Sequence, residues 1–401
     1  MAIMRKSLNI YFYSPEFLND NHSDLIDGGI AHQYYKWASE LIRQGNTVTV
    51  VVNKKGAKLN KIIFKGITVF EGDFFAFHKK IRIFLFILSF GRLYLKTGLE
   101  IFLFLKNLQK RIDIIQICSD CLLKELPSIR IPHCVRISCD IWSLFSFYYV
   151  NNSNKLLERY EKQLRSCKNI FGPSNYVANR IKNKLKLTQQ IDVIETPIDI
   201  NIGEEDNSFY YLLESRRYFL YFGTISRLKG CKNLADIIYK VLDKYKDLYF
   251  VLVGKQCKEG NVLLVDLIKQ NAKEYRDRII HFDKMSHNSL FPLIRGSEFC
   301  VLPSLTENFS NSCLEAMSLS KIVIGTSPFF NQIIDNGVSG FLCNSNDSND
   351  LYLTICNVLS LPLDKRKEIE NNAQKRVVSC NPQKLTNDLL NYYHRIIKEW
   401  C

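Results

Sequence analysis

Two carboxylates separated by seven residues, Glu307 and Glu315, are the side chains in this sequence best spaced for chemistry. Glu307 falls in the polar stretch Ser304 to Asn311, which follows a short apolar run, Glu298 to Pro303, with the character of a buried parallel strand. A loop at the carboxyl end of such a strand is where open α/β sheets hold ligands. Glu315 falls among Leu314, Met317 and Leu319, whose spacing predicts a helix, and Ser312-Cys-Leu-Glu315 has the spacing of a capping box. A helix of eight residues is about 12 Å long, so the two acids can reach different parts of one elongated ligand. A nucleotide sugar is such a ligand, and free N–H groups at a helix start favour its phosphates. A blander reading stands beside it: Glu315 as the acid arm of a cap, and Glu307 as a solvated loop residue.

Cations of matching use occur upstream. Tyr218 to Phe222 reads as a strand, and the loop after it, Gly223-Thr-Ile-Ser-Arg-Leu-Lys-Gly230, carries Arg227 and Lys229 between two glycines. Glycine permits a tight turn, Lys229 offers a point charge, and Arg227 offers a planar fork for phosphate oxygens. The amino-terminal half opens with a similar βαβ pattern: a strand from Asn9 to Tyr13, a helix from Ile30 to Arg43 with Tyr34, Trp37, Ala38 and Leu41 on one face, and a β-branched strand from Thr47 to Val52. Gly28 and Gly29 precede that helix, where missing side chains let a phosphate or sugar approach the backbone.

These elements predict an α/β protein with two doubly wound parallel sheets. The expected division is a first domain over 1–199, a polar linker over 200–216, a second domain over 217–385, and a terminal helix over 386–401 that crosses back to the first. The 401 residues suit two domains, and 46% hydrophobic with 23% charged residues are soluble globular values. Thirteen cysteines without a secretory leader imply reduced thiols in the cytoplasm. The net charge of +14 fits nucleic acid, an anionic membrane surface or anionic substrates; absent zinc-finger, RNP or basic-tail patterns argue against nucleic acid. Residues 78–111, basic with interleaved Phe and Leu, read either as an interfacial membrane segment or as core helices whose lysines reach out to solvent. Cys118, Cys121, Cys134 and Cys139 could form a zinc set, although their places at strand ends favour buried thiols.

The stretch Pro303, Ser304, Glu307, Phe309, Leu314, Glu315, Ala316, Met317, followed by Asn336-Gly337-Val338-Ser339-Gly340-Phe341, resembles the retaining glycosyltransferases of family four, with their Glu-x7-Glu motif. The amino-terminal DGGIAHQYYKWASELIRQGNTVTVVV resembles the glycine-pair motif of the same family. The resemblance implies a GT-B fold, two Rossmann-like domains facing across a cleft. It implies that Glu307 faces the donor sugar and Glu315 binds the ribose, with Asn308, Phe309 and Ser310 beside the donor and Gly29 and Gly223 in its loops. It also implies that Lys229 binds the diphosphate. Three positions depart from the family pattern: Thr224 stands where an arginine is usual, Cys139 where a histidine is usual, and Gln332 where a glutamate is frequent. Arg227 is nominated to replace the missing arginine, and Asp140, beside Cys139, as an acceptor-side residue.

The reading that follows is a retaining transferase moving sugar from a nucleotide donor to a glycan or lipid-linked acceptor in bacterial surface polysaccharide synthesis. No cofactor or metal is needed, since no Asp-x-Asp suited to a cation occurs and the departing diphosphate's charge is met by Lys229, Arg227 and backbone amides. The alternative is a weakened nucleotide-sugar-binding scaffold that partners another transferase.

Overall fold

The structure is a computed structural model, described here for residues 7–18, 29–74, 98–123, 131–148, 154–198, 204–213 and 216–400. The chain forms two compact units, one from Met1–Pro197 together with Pro382–Cys401, the other from Ile198–Asn381.

In the first unit the strands are β1 (Asn9–Ser14), β2 (Thr47–Asn53), β3 (Asn60–Phe64), β4 (Ile67–Gly72), β5 (Ile114–Cys118), β6 (His133–Arg136), β7 (Ile170–Gly172) and β8 (Asp192–Val193). They form one sheet in the order β3-β4-β2-β1-β5-β6-β7-β8, parallel except for the β3–β4 hairpin. Strands buried on both faces read as near-continuous apolar runs, and β1 and β5 are fully buried along their lengths. Helix α1 (Gly29–Arg43) covers one face with Tyr34, Trp37, Ala38 and Leu41, the stripe expected from its periodicity. Of the basic segment, 78–97 lies outside the described residues. Its remainder enters α2 (Gly98–Gln109), where Phe102 is buried against Phe70 and Phe74 and Lys106 lies over the Phe70 ring at 4.7 Å. That packing is the core-helix alternative. Helices α3 (Ile141–Tyr148), α4 (Asn154–Ser166) and α5 (Asn175–Leu185) complete the layer.

The second unit starts before the expected linker ends. Within 204–213, a short helix α6 (Ser208–Tyr211) is tied down where Asp206 accepts the Ser289 hydroxyl at 2.8 Å and its N–H reaches the Asn288 carbonyl. The later part of the segment is apolar and packs inward, Phe209 edge-on against Phe282 at 5.3 Å and Leu213 buried. The principal strands are β9 (Arg217–Phe222) and β10 (Leu248–Val253); a two-stranded hairpin, β11 (Lys258–Glu259) and β12 (Val262–Leu263), follows, then β13 (Ile279–Phe282), β14 (Cys300–Val301), β15 (Val323–Ser327) and β16 (Phe341–Asn344). Six of these form a parallel sheet, β13-β10-β9-β14-β15-β16, with Phe219 stacked on Phe250 at 4.4 Å in its core. The helices are α7 (Cys231–Lys244), α8 (Leu264–Asn271), α9 (His287–Gly296), α10 (Asn311–Ser318), α11 (Ser348–Leu359) and α12 (Leu363–Val378).

The last helix, α13 (Pro382–Trp400), begins four residues before the expected 386 and belongs to the first unit. Tyr393 donates its hydroxyl to Gln116 in β5 at 2.6 Å, and Tyr392 packs against Phe171 in β7.

Candidate functional site

From β9 the second sheet grows outward in two directions, through β10 to β13 on one side and through β14 to β16 on the other. The loops after β9 and β14 therefore diverge, leaving the crevice at the strand ends that open α/β sheets use for ligands. Lys229 and Glu307 sit on these two loops.

Glycine lets the β9 loop close up against its neighbour after β10. Gly223 and Gly254, at the ends of β9 and β10, have φ of +127° and +142°, and a Cβ on Gly254 would lie 2.0 Å from the Gly223 carbonyl oxygen. The β9 loop is then bonded to the β14 loop through Leu305 N–H to Leu228 carbonyl, 2.8 Å. Across these bonded loops Lys229 Nζ lies 2.6 Å from Glu307 Oε2. The other oxygen of Glu307 accepts the Asn308 N–H at 3.2 Å, so the carboxylate is held at both ends. Glu307 is 14% exposed and Lys229 38%.

Arg227 points from the same loop to Glu259 in the β11–β12 hairpin, Nη1 to Oε1 3.2 Å. Thr224, at the family's arginine position, is exposed, and its carbonyl accepts the Tyr221 hydroxyl.

Helix α10 begins two residues earlier than the capping-box spacing suggested. Ser310, not Ser312, is the N-cap and accepts the Cys313 N–H at 3.2 Å. Phe309 before the cap and Leu314 four residues after it are both buried, the spacing of a hydrophobic staple that fixes the entry of the chain. Glu315 is thereby too far along the helix to close a capping box. It meets His287 at the start of α9 instead, Oε1 to Nε2 3.4 Å. His287 and Glu259 are the partners that sequence reading missed; neither has a motif, and each reaches the site through the order of the strands.

In the first unit the nominated residues have other bonds. Glu16 Oε1 accepts the N–H groups of Ile30 and Ala31 at 3.2 and 3.4 Å, so its own carboxylate occupies the start of α1, the place offered to a donor phosphate beside Gly29. Asp140 is buried: Oδ2 accepts the Ser143 hydroxyl at 2.6 Å and pairs with Arg180, while Oδ1 accepts the Ser143 N–H. These bonds to Ser143 cap α3 and give Asp140 a structural role. Cys139 donates to Asp120 Oδ1 at 3.2 Å, as does the Ser138 hydroxyl. Burial first, and then the Asp120 charge, push the Cys139 thiol well above its usual range, so it stays protonated. Cys118, Cys121 and Cys134 are buried, and Cys121 donates to the Tyr13 carbonyl. No metal-holding group of three or more His, Cys, Asp or Glu forms among the described residues, and no zinc set arises from these four cysteines.

Residues 216–360 match the family model described as glycosyl transferases group 1, and residues 27–202 match that described as glycosyltransferase family 4. A curated relative, the Campylobacter jejuni N-acetylgalactosamine-N,N'-diacetylbacillosaminyl-diphospho-undecaprenol 4-alpha-N-acetylgalactosaminyltransferase, is 24% identical over 61% of this chain and 66% of its own length. Among solved structures, sucrose-phosphate synthase from Thermosynechococcus elongatus superposes with a TM-score of 0.74 at 14% identity, over 98% of this chain and 100% of that one. Anabaena HepE in complex with UDP-glucose gives 0.67 at 17% identity, over 96% and 100%. The two parallel α/β sheets are those of the GT-B fold. Matched over 27–202 by the family 4 model and over 216–360 by the group 1 model, the chain belongs to the GT-B glycosyltransferases that these two models describe.

Proposed function

We propose that this chain is a retaining glycosyltransferase that binds a nucleotide-sugar donor mainly through its second unit and transfers the sugar to a glycan or lipid-linked acceptor. The observation that carries the reading is the 2.6 Å contact of Lys229 with Glu307 between diverging loops of a parallel sheet. A diphosphate and the sugar attached to it need a cation and a hydroxyl acceptor side by side, and this pair supplies both. The charge that develops on the departing nucleoside diphosphate is met by Lys229, with Arg227 as a second, more exposed cation. In this reading Glu307 orients the sugar through its hydroxyls, and the ribose is assigned to Glu315, whose partner is His287. Gly223, with Asn308, Phe309 and Ser310, shapes the loops on either side of the pair.

The reaction runs without a metal ion in this reading, since fixed cations do the charge compensation. The relative from Campylobacter jejuni is named for transfer to a diphospho-undecaprenol glycan, which supports a lipid-linked acceptor and a role in surface polysaccharide synthesis. Such an acceptor calls for work at the cytoplasmic face of a membrane, whose anionic lipid suits a chain of net charge +14. No helix among the described residues is long and apolar enough to cross a membrane.

Thermal-shift screening with UDP-, GDP- and ADP-sugars tests donor binding. Donor hydrolysis or transfer by the wild type, lost in Glu307→Gln and Lys229→Ala, is the expected result. Donor binding without turnover toward any glycan or lipid-linked acceptor would favour the scaffold reading, to which the protonated Cys139 at the family's histidine position lends weight.

A further inference from the structure

Both cations of the glycine loop hold carboxylates, but the two pairs differ. Arg227 and Glu259 are 55% and 27% exposed, on a loop and a hairpin open to solvent, where water and salt weaken the attraction. Lys229 and Glu307 are closer and more buried, and Glu307 cannot turn aside without also giving up the Asn308 N–H. Any phosphate that binds Lys229 must therefore share that ammonium with a carboxylate held beside it.

The cost of sharing depends on what else is bound. An intact nucleotide sugar brings hydroxyl donors to Glu307 along with its phosphates, so the carboxylate gains new partners as Lys229 turns to the diphosphate. A free nucleoside diphosphate brings only more negative charge, and leaves Glu307 with its cation weakened and nothing in return.

We propose that Glu307 is a specificity residue that discriminates the intact donor from its nucleoside diphosphate, lowering affinity for the diphosphate through its ion pair with Lys229. This rests on the donor reading above and deepens it: the carboxylate that holds the sugar also hastens release of the spent nucleotide.

The test is calorimetric titration of UDP, GDP and ADP, and of the corresponding glucose-bearing nucleotides, into the full chain and its variants, with circular dichroism verifying the fold of each. Glu307→Gln keeps shape and removes charge. It is expected to tighten the nucleoside diphosphate about 5- to 20-fold, the effect of one close, partly buried charge pair, while weakening the nucleotide sugar. Glu259→Gln shifts both ligands by one common factor below about 3-fold, as a screened pair does. In a Lys229→Gln background Glu307→Gln no longer tightens the diphosphate, because the effect travels through the ammonium; a merely structural role of Glu307 would not show that dependence. Unchanged or weaker diphosphate binding in Glu307→Gln, or equal tightening of both ligands, overturns the inference while leaving the donor reading intact. Failure of every nucleotide and nucleotide sugar to bind the wild type overturns both.

Discussion

Gly230 and Pro303 run so close that a Cβ added to Gly230 would lie 1.8 Å from the Pro303 carbonyl oxygen. Gly230 also has φ of +74° and stands at the start of α7, directly after Lys229. Gly230→Ala must move backbone against backbone in a conformation that L residues resist, so a loss of about 3 kcal/mol or more is expected. Urea unfolding measures that loss. Where the variant still folds, nucleotide binding should fall further than stability alone explains, because the displaced loop carries Lys229; unchanged binding in a stable Gly230→Ala protein would contradict the role given to this contact.

Asp140 separates structure from catalysis. Its carboxylate is buried and shared between Ser143 and Arg180, so Asp140→Asn should destabilise the protein by about 1–3 kcal/mol, as a disrupted charged hydrogen bond does. Nucleotide-sugar affinity should stay within about 2-fold, since the proposed donor contacts are made mainly by the second unit and α3 belongs to the first. A large rise in acceptor KM with stability unchanged would restore the acceptor-side role suggested by its place in the sequence.

Thiol reactivity should follow burial. Burial raises Cys118, Cys167, Cys231, Cys300 and Cys343 to about 12, and Cys134, Cys139 and Cys313 well above the usual thiol range. The thiolate is the reactive form, so brief iodoacetamide treatment of native protein at pH 8 should label Cys257 and Cys356 and spare all eight, including Cys139, which shares their partial exposure but donates its thiol to Asp120. Peptide mapping reads the outcome. Rapid labelling of Cys139 would show an open, ionised thiol at that position.

His133 predicts an acid-side loss of stability. Desolvation lowers its pKa in the folded chain, against the smaller opposing effect of its Nδ1 bond to the Ile131 carbonyl. The folded state then binds fewer protons than the unfolded one below pH 6.5, so this contribution is complete above that value and declines as pH falls, by at most about 1.4 kcal/mol per pH unit. Between pH 6.5 and 5 the wild type's melting temperature should fall more steeply than that of His133→Gln. Parallel curves would exclude the effect.

Local pattern carried much of the architecture. The buried stripe of α1 and the apolar runs of β1, β5 and β9 follow from periodicity within a few residues, and the order strand, loop, helix around Glu307 follows from the same signal. What sequence pattern left hidden is partnership. Two serines compete to cap α10, and burial of Phe309 selects the earlier one. Glu16 on the start of α1, His287 on Glu315 and Glu259 on Arg227 are pairings across turns and strands of the sheet, and no spacing along the chain encodes them. Residues 204–208 are polar and make specific bonds as well, Asp206 with Ser289 and Glu205 with Arg295, and a composition suited to a linker does not distinguish that from solvation.

The return of α13 to the first unit has a consequence for how the polypeptide emerges from the ribosome. Until residues 382–400 have been translated, Gln116 lacks the Tyr393 hydroxyl and Phe171 lacks the Tyr392 ring, so the amino-terminal half leaves the exit tunnel with part of its interior uncovered. The second unit, contiguous in sequence, can mature first and alone. A chain truncated after Asn381 and released from the ribosome should therefore resist protease in its later half while its earlier half is digested.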